Sequence, residues 1–167
     1  EAKVATSGAD KASVLLELAE AYQKLNNDNQ MISALNAAVQ QDPTRLTIYD
    51  RLGALYEAKK RWPDLVKVLS EKAERSDHDE KIAIYLQVAN LYLERFSNQA
   101  EAIKAFEKVL ELDPSNQQAI DHLLAVYEKR RDWEKLIKLK EAEVERTPEH
   151  ERAAKVIDVA NMAASKV

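Results

Sequence analysis

Three histidines, 29 carboxylates and no cysteine set the chemistry open to this 167-residue chain. Asp77-His78-Asp79 offers metal-ligand types, but a metal site needs three or four convergent donors, and nothing nearby supplies that convergence. The tripeptide therefore reads as a polar break between helices. His150 has no helical histidine partner of the zinc-hydrolase kind, and no Ser/His/Asp order stands out. The absence of cysteine removes disulfides, thiolate ligands and a sulfur nucleophile, and leaves the redox compartment open. Two glycines cannot build a phosphate-cradling loop or a dinucleotide fingerprint. Carboxylate pairs abound, yet acid–base catalysis also needs a pocket and displaced pKa values. No catalytic residue, metal site or cofactor is assigned, and the reading is of a protein that is not an enzyme. The net charge of -4 disfavours a nucleic-acid partner, and no apolar stretch approaches a bilayer span. The cytoplasm is the default compartment, with the periplasm open.

What could position an interaction surface is a series of helices. Glycine and proline number only 2 and 4, too few for the turns of a sheet protein. Residues 1–11 are small and weakly patterned and are expected to form a flexible start. The chain does not open on Met, so a processed or excised piece is expected. From Ala12 onward apolar residues recur at helical spacing. Val14, Leu15, Leu18, Ala19, Tyr22 and Leu25 share one predicted stripe. Met31, Ile32, Leu35, Ala38 and Val39 share the next, which stops at Asp42-Pro43. Pro63 opens a fourth helix. Asn98 with Glu101, and Ser115 with Gln118, suggest helix caps. A ninth helix after Thr147-Pro148 carries Ala154, Ile157, Ala160 and Asn161 on its predicted face.

Matching apolar positions begin near Ala12, Leu46, Ile82 and Gln117, a period of about 34 residues with two helices each. The first helices share Leu18-Ala19-Tyr22, Leu52-Gly53-Tyr56, Val88-Ala89-Tyr92 and Leu123-Leu124-Tyr127. The second helices share Met31, Leu35, Ala38; Leu65, Leu69, Lys72; Ala102, Phe106, Val109; and Leu136, Lys140, Glu143. Pro43, Pro114 and Pro148 close three of the units, and the third unit carries one extra residue in its turn. On these residues the chain resembles the tetratricopeptide repeat family. The resemblance covers about residues 12–150 as four helical hairpins. Residues 151–167 then form either a capping helix or the first helix of a fifth unit. A second period, of 71 residues, relates alternate units: Trp62, Glu74 and Val88-Ala89-Asn90 recur as Trp133, Glu145 and Val159-Ala160-Asn161. The unfinished unit at the C-terminus favours a chain cut from a longer array.

The resemblance implies an all-α fold of antiparallel hairpins stacked into a right-handed superhelix, an α-solenoid whose first helices line a concave groove. It implies a non-enzymatic scaffold that holds a peptide or helical segment of a partner protein. The family's groove positions fall on Glu17, Glu20, Asp50, Arg51, Glu57, Gln87, Asn90, Glu94, Asp121, His122 and Glu128, together with Leu16, Lys24, Ala54, Leu86 and Ala125. Acids outnumber bases there, so the expected partner is a protein or peptide of basic or mixed charge. The Lys/Asn/Arg set with which some relatives clamp a C-terminal carboxylate is missing. Trp62 and Trp133 are expected to pack beneath the turns of their hairpins. The alternative function is a structural spacer in a larger assembly, with weak self-association end to end through its terminal helices.

Overall fold

The computed structural model describes residues 7–166, with the side chain of residue 166 left aside. The described residues contain nine helices and no strand: α1 Gly8–Lys24, α2 Asp28–Gln41, α3 Leu46–Ala58, α4 Trp62–Ala73, α5 His78–Glu94, α6 Gln99–Leu112, α7 Gln117–Arg130, α8 Trp133–Arg146 and α9 Glu149–Lys166. Each helix packs chiefly on the one before and the one after it in the chain. That arrangement makes a stack of four hairpins with one unpaired helix, α9, at the end.

The start differs from the sequence expectation. α1 begins at Gly8 rather than after residue 11, because Ser7 and Asp10 form a reciprocal capping box. Glycine is required at position 8 by space: a Cβ there would stand 2.5 Å from the Gln41 carbonyl oxygen of α2. Residues 1–6 of the expected flexible start lie outside the described residues.

The turn inside each hairpin repeats one geometry. Asn26, Lys60, Ser97 and Arg131 take φ of 52°, 55°, 49° and 56°. The next residue's N–H, from Asn27, Arg61, Asn98 and Asp132, donates to the carbonyl of Tyr22, Tyr56, Tyr92 and Tyr127 respectively. This is the left-handed closure that satisfies orphan carbonyls at a helix C-terminus. The extra residue of the third unit is visible here, since its bond reaches back six positions where the others reach five.

Between the first and second units, and again between the third and fourth, an Asp-Pro step turns the chain. Asp42 accepts from the N–H and hydroxyl of Thr44, and Asp113 does the same for Ser115. Ser115 is thereby occupied, and the cap of α7 is Asn116 rather than Ser115. Asn98 caps α6 as expected, its side chain accepting from the Glu101 N–H. Pro63 lies in the first turn of α4.

One continuous core runs through the stack. It includes Leu35, Ala38, Ile48, Tyr49, Leu52, Leu65, Ala89, Val109 and Leu123, all nearly inaccessible. At the ends the predicted stripes divide. On α1, Ala12 and Ala19 are buried and Leu15 and Tyr22 partly so, whereas Val14 and Leu18 are 64% and 42% exposed. On α9 the buried side is Val159 with Met162 packed on the core, while Ala154, Ile157, Ala160 and Asn161 face outward. Among the described residues α1 packs chiefly on α2 and α9 chiefly on α8, so half of each two-sided apolar stripe is uncovered.

Candidate interaction surface

The first helices α1, α3, α5 and α7 carry the expected groove residues, and the structure sorts these into groups. Glu17, Glu57, Gln87 and Glu128 are exposed. Among the described residues none of these carboxylates forms an ion pair. Asp121 is also exposed and accepts from the Gln117 amide at 2.7 Å. Glu94 comes only within 4.0 Å of its neighbour Arg95, and Asn90 is half-buried. Glu20 of α1 lies 3.7 Å from Arg51 of α3, so the first helices of adjacent units approach each other along this face. Leu16 and Leu86 instead pack partly against the core.

Asp50 is tied to a residue the groove reading did not include. Lys72 of α4 is only 8% exposed, and its ammonium lies 2.6 Å from both Asp50 of α3 and Glu80 of α5. Burial works against the charge, but hydrogen bonds to the two carboxylates outweigh it and hold the Lys72 pKa above the ordinary lysine value. The apolar stem fills the position that Ala38 and Val109 fill in other units, while the charged head reaches the surface. The fourth unit has Glu143 there, 2.7 Å from Lys155 of α9. Lysine in an apolar register, with acids on the flanking first helices, was the only sequence signal of this three-helix tie.

His122 is half-buried, its ring stacked on Phe106 of α6 with centroids 4.8 Å apart. Trp62 is half-buried against the core, and the Arg95 guanidinium lies 4.9 Å from its ring centre, so it joins the second unit to the third. Trp133 packs against the core in the same way. Asp77 caps α5 by accepting from the Glu80 N–H, which gives the Asp77-His78-Asp79 segment a structural use.

Tyrosine hydroxyls add charged hydrogen bonds between helices. Tyr127 donates to Glu107 at 2.8 Å, and Lys135 reaches the same oxygen at 2.9 Å. Burial alone would push the Glu107 carboxyl up, but Lys135 and Tyr127 hold it below the usual range. Tyr85 donates to Glu74 at 2.6 Å, and burial, then this acceptor, pushes its hydroxyl up to about 12. Among the described residues no group of three or more metal-ligating side chains converges, and no helix is long and apolar enough to cross a membrane.

A stack of capped hairpins with a charged, exposed face on its first helices defines a helical-repeat interaction fold. Two family models, each described as the tetratricopeptide repeat, match residues 82–116 and 13–44. The chain is 28% identical over 108 residues to the TPR repeat-containing protein YpiA of Bacillus subtilis (strain 168). That match covers 65% of this chain but 25% of the relative, so the chain spans about a quarter of the protein it resembles. The N-terminal domain of stress-induced protein-1 from C. elegans superposes with a TM-score of 0.52 at 17% identity, over 70% of this chain and 94% of that one. The two matched stretches thus resemble the tetratricopeptide repeat, whose copies generally mediate contacts between proteins and are generally without catalytic activity.

Proposed function

We propose that the face formed by the first helices binds an extended or helical segment of a partner protein with basic or mixed charge. The observation that carries this reading is the set of exposed, ion-pair-free carboxylates Glu17, Glu57, Asp121 and Glu128, one or more on each of three first helices. Glu20 and Asp50 already have intramolecular cations, so the unpaired acids are the ones that attract a ligand. Opposite charge speeds encounter and sets register, and a rigid packed stack loses little conformational freedom on binding.

The test is affinity capture by the wild-type chain beside a variant with Glu17, Glu57, Asp121 and Glu128 changed to Lys. Circular dichroism first establishes equal helicity. A partner retained by the wild type alone, with retention that weakens as salt rises, supports the reading. Identical capture by both proteins removes it.

A second reading, a spacer joined end to end, is favoured by the exposed apolar residues at the two ends: Val14 and Leu25 on one, Val156 and Ile157 on the other. Sedimentation velocity at rising concentration tests it, and a strictly monomeric chain rejects it.

A further inference from the structure

One junction recurs three times inside the stack, where two successive second helices meet over the first helix between them. Each junction leaves an open cavity. It measures about 100 Å³ between α2, α3 and α4, about 180 Å³ between α4, α5 and α6, and about 380 Å³ between α6, α7 and α8. The register position that carries Glu71 in the first of these and Lys108 in the second carries Ala142 in the third. Lys108 reaches across its junction, its ammonium 4.9 Å from the Tyr85 ring centre and 3.5 Å from the hydroxyl. Ala142 has no chain to reach with. Leu110 and Leu139 stand where the junction before has Ala73 and Ala105. The two alanines are buried, whereas the two leucines are half-buried and line the opening with Leu123 beneath them.

The walls of this groove carry opposite charges. At one end Glu107 of α6 and Lys135 of α8 tie the walls together at 2.9 Å. One turn further along stand Glu111 of α6 and Lys138 of α8. Both are exposed, and among the described residues neither forms an ion pair or a side-chain hydrogen bond. The counterpart of Glu111 in the junction before is Glu74, which accepts from the Tyr85 hydroxyl. Here Ile120 stands at the Tyr85 position and offers no donor. An apolar cleft thus lies between one unengaged carboxylate and one unengaged ammonium. Its volume falls at the small end of ligand cavities, about 300–1,000 Å³, which is room for a few side chains.

We propose that the α6–α8 groove is a docking site for an amphipathic helix of a partner protein. That helix seats a ridge of leucine-sized side chains between Leu110 and Leu139, over Leu123. It sets a basic residue against Glu111 and an acidic residue against Lys138. Because α6 and α8 are both second helices, they run in the same direction, and a third helix fits the furrow between them by packing its ridge into it. All three helices that form the site are internal to the stack. The site shares no residue with the first-helix face and does not depend on that reading.

The probe is a labelled peptide, stapled as a helix, with leucines along one ridge, lysines on one flank of it and glutamates on the other. It is titrated into the full chain by fluorescence anisotropy. Saturable binding is expected. Ala142→Lys, which places the third unit's side chain in the cleft, weakens it at least about tenfold while helicity and urea midpoint stay at the wild-type values. Glu111→Lys weakens it as well. A second peptide, with glutamates on both flanks, binds the wild type poorly and recovers on Glu111→Lys, an exchange that loss of folding cannot mimic. Glu17→Lys with Glu57→Lys changes neither peptide's binding. Absence of saturable binding, indifference to Ala142→Lys or to the charge exchange, or equal loss in the Glu17/Glu57 variant overturns the proposal. Concentration-dependent dimerisation that Ala142→Lys abolishes, without peptide binding, gives the groove to a second copy and equally overturns it.

Discussion

Lys60 and Arg131 hold the left-handed conformation at the hairpin turns of the second and fourth units, with φ of 55° and 56°. An L-residue pays about 1–2 kcal/mol in that region, and neither side chain offsets the strain. Both are exposed, and neither forms an ion pair among the described residues. Glycine removes the strain but gives back about 0.5–1 kcal/mol through the greater freedom of the unfolded chain. Lys60→Gly and Arg131→Gly are therefore expected to stabilise by about 0.5–1 kcal/mol each. The sites lie in different units, so the double variant should gain about 1–2 kcal/mol. For a chain of this length that is a rise in Tm of about 2–8 °C. Urea unfolding followed by far-UV circular dichroism measures the gain as a higher midpoint at unchanged slope. Asn26→Gly is the internal control, because asparagine tolerates this conformation better than lysine or arginine; its gain should be the smallest of the three. A midpoint that stays or falls in Lys60→Gly and Arg131→Gly at constant slope, or an Asn26→Gly gain as large as theirs, would refute the strain argument.

Two further outcomes follow from the ties between helices. Lys72→Met keeps the buried stem and leaves Asp50 and Glu80 hydrated, so stability should change by less than about 1 kcal/mol, whereas Lys72→Ala should cost about 2 kcal/mol; equal losses in urea unfolding would show that the ion pairs, not the stem, hold the units. The Glu107 pKa is lowered in the folded chain, so its contribution is present above the unfolded glutamate pKa and is lost as pH falls through the folded value. Glu107→Gln should therefore be less stable than the wild type at pH 7, with the gap closing on acidification below about pH 4; a gap that stays constant in denaturant titrations across that range would reject the assignment.

The sequence determined the repeat and much of its punctuation. Apolar residues at helical spacing, the Tyr that closes each first helix, the Asp-Pro steps and the extra residue near Ser97 are local features, and local features set where helices run and stop. Even so, Lys59-Lys60-Arg61 and Arg130-Arg131 carry no turn chemistry of their own. They turn because packed helices on both sides leave the chain no other path, and the left-handed residue supplies it. The exposed acids of the first helices were also legible, because position within a repeat fixes which side of a helix a residue occupies.

Tertiary structure alone decided which of those acids remain available. Asp50 and Glu20 are engaged because Lys72 and Arg51 reach them from neighbouring helices, and His122 is stacked on Phe106 across a unit boundary. It also decided the ends. Val14, Leu18 and Ile157 belong to apolar stripes as regular as those inside, yet they lie open. Periodicity specifies that a face is apolar, whereas burial requires a second helix to cover it, and among the described residues α1 and α9 each pack chiefly on a single neighbour.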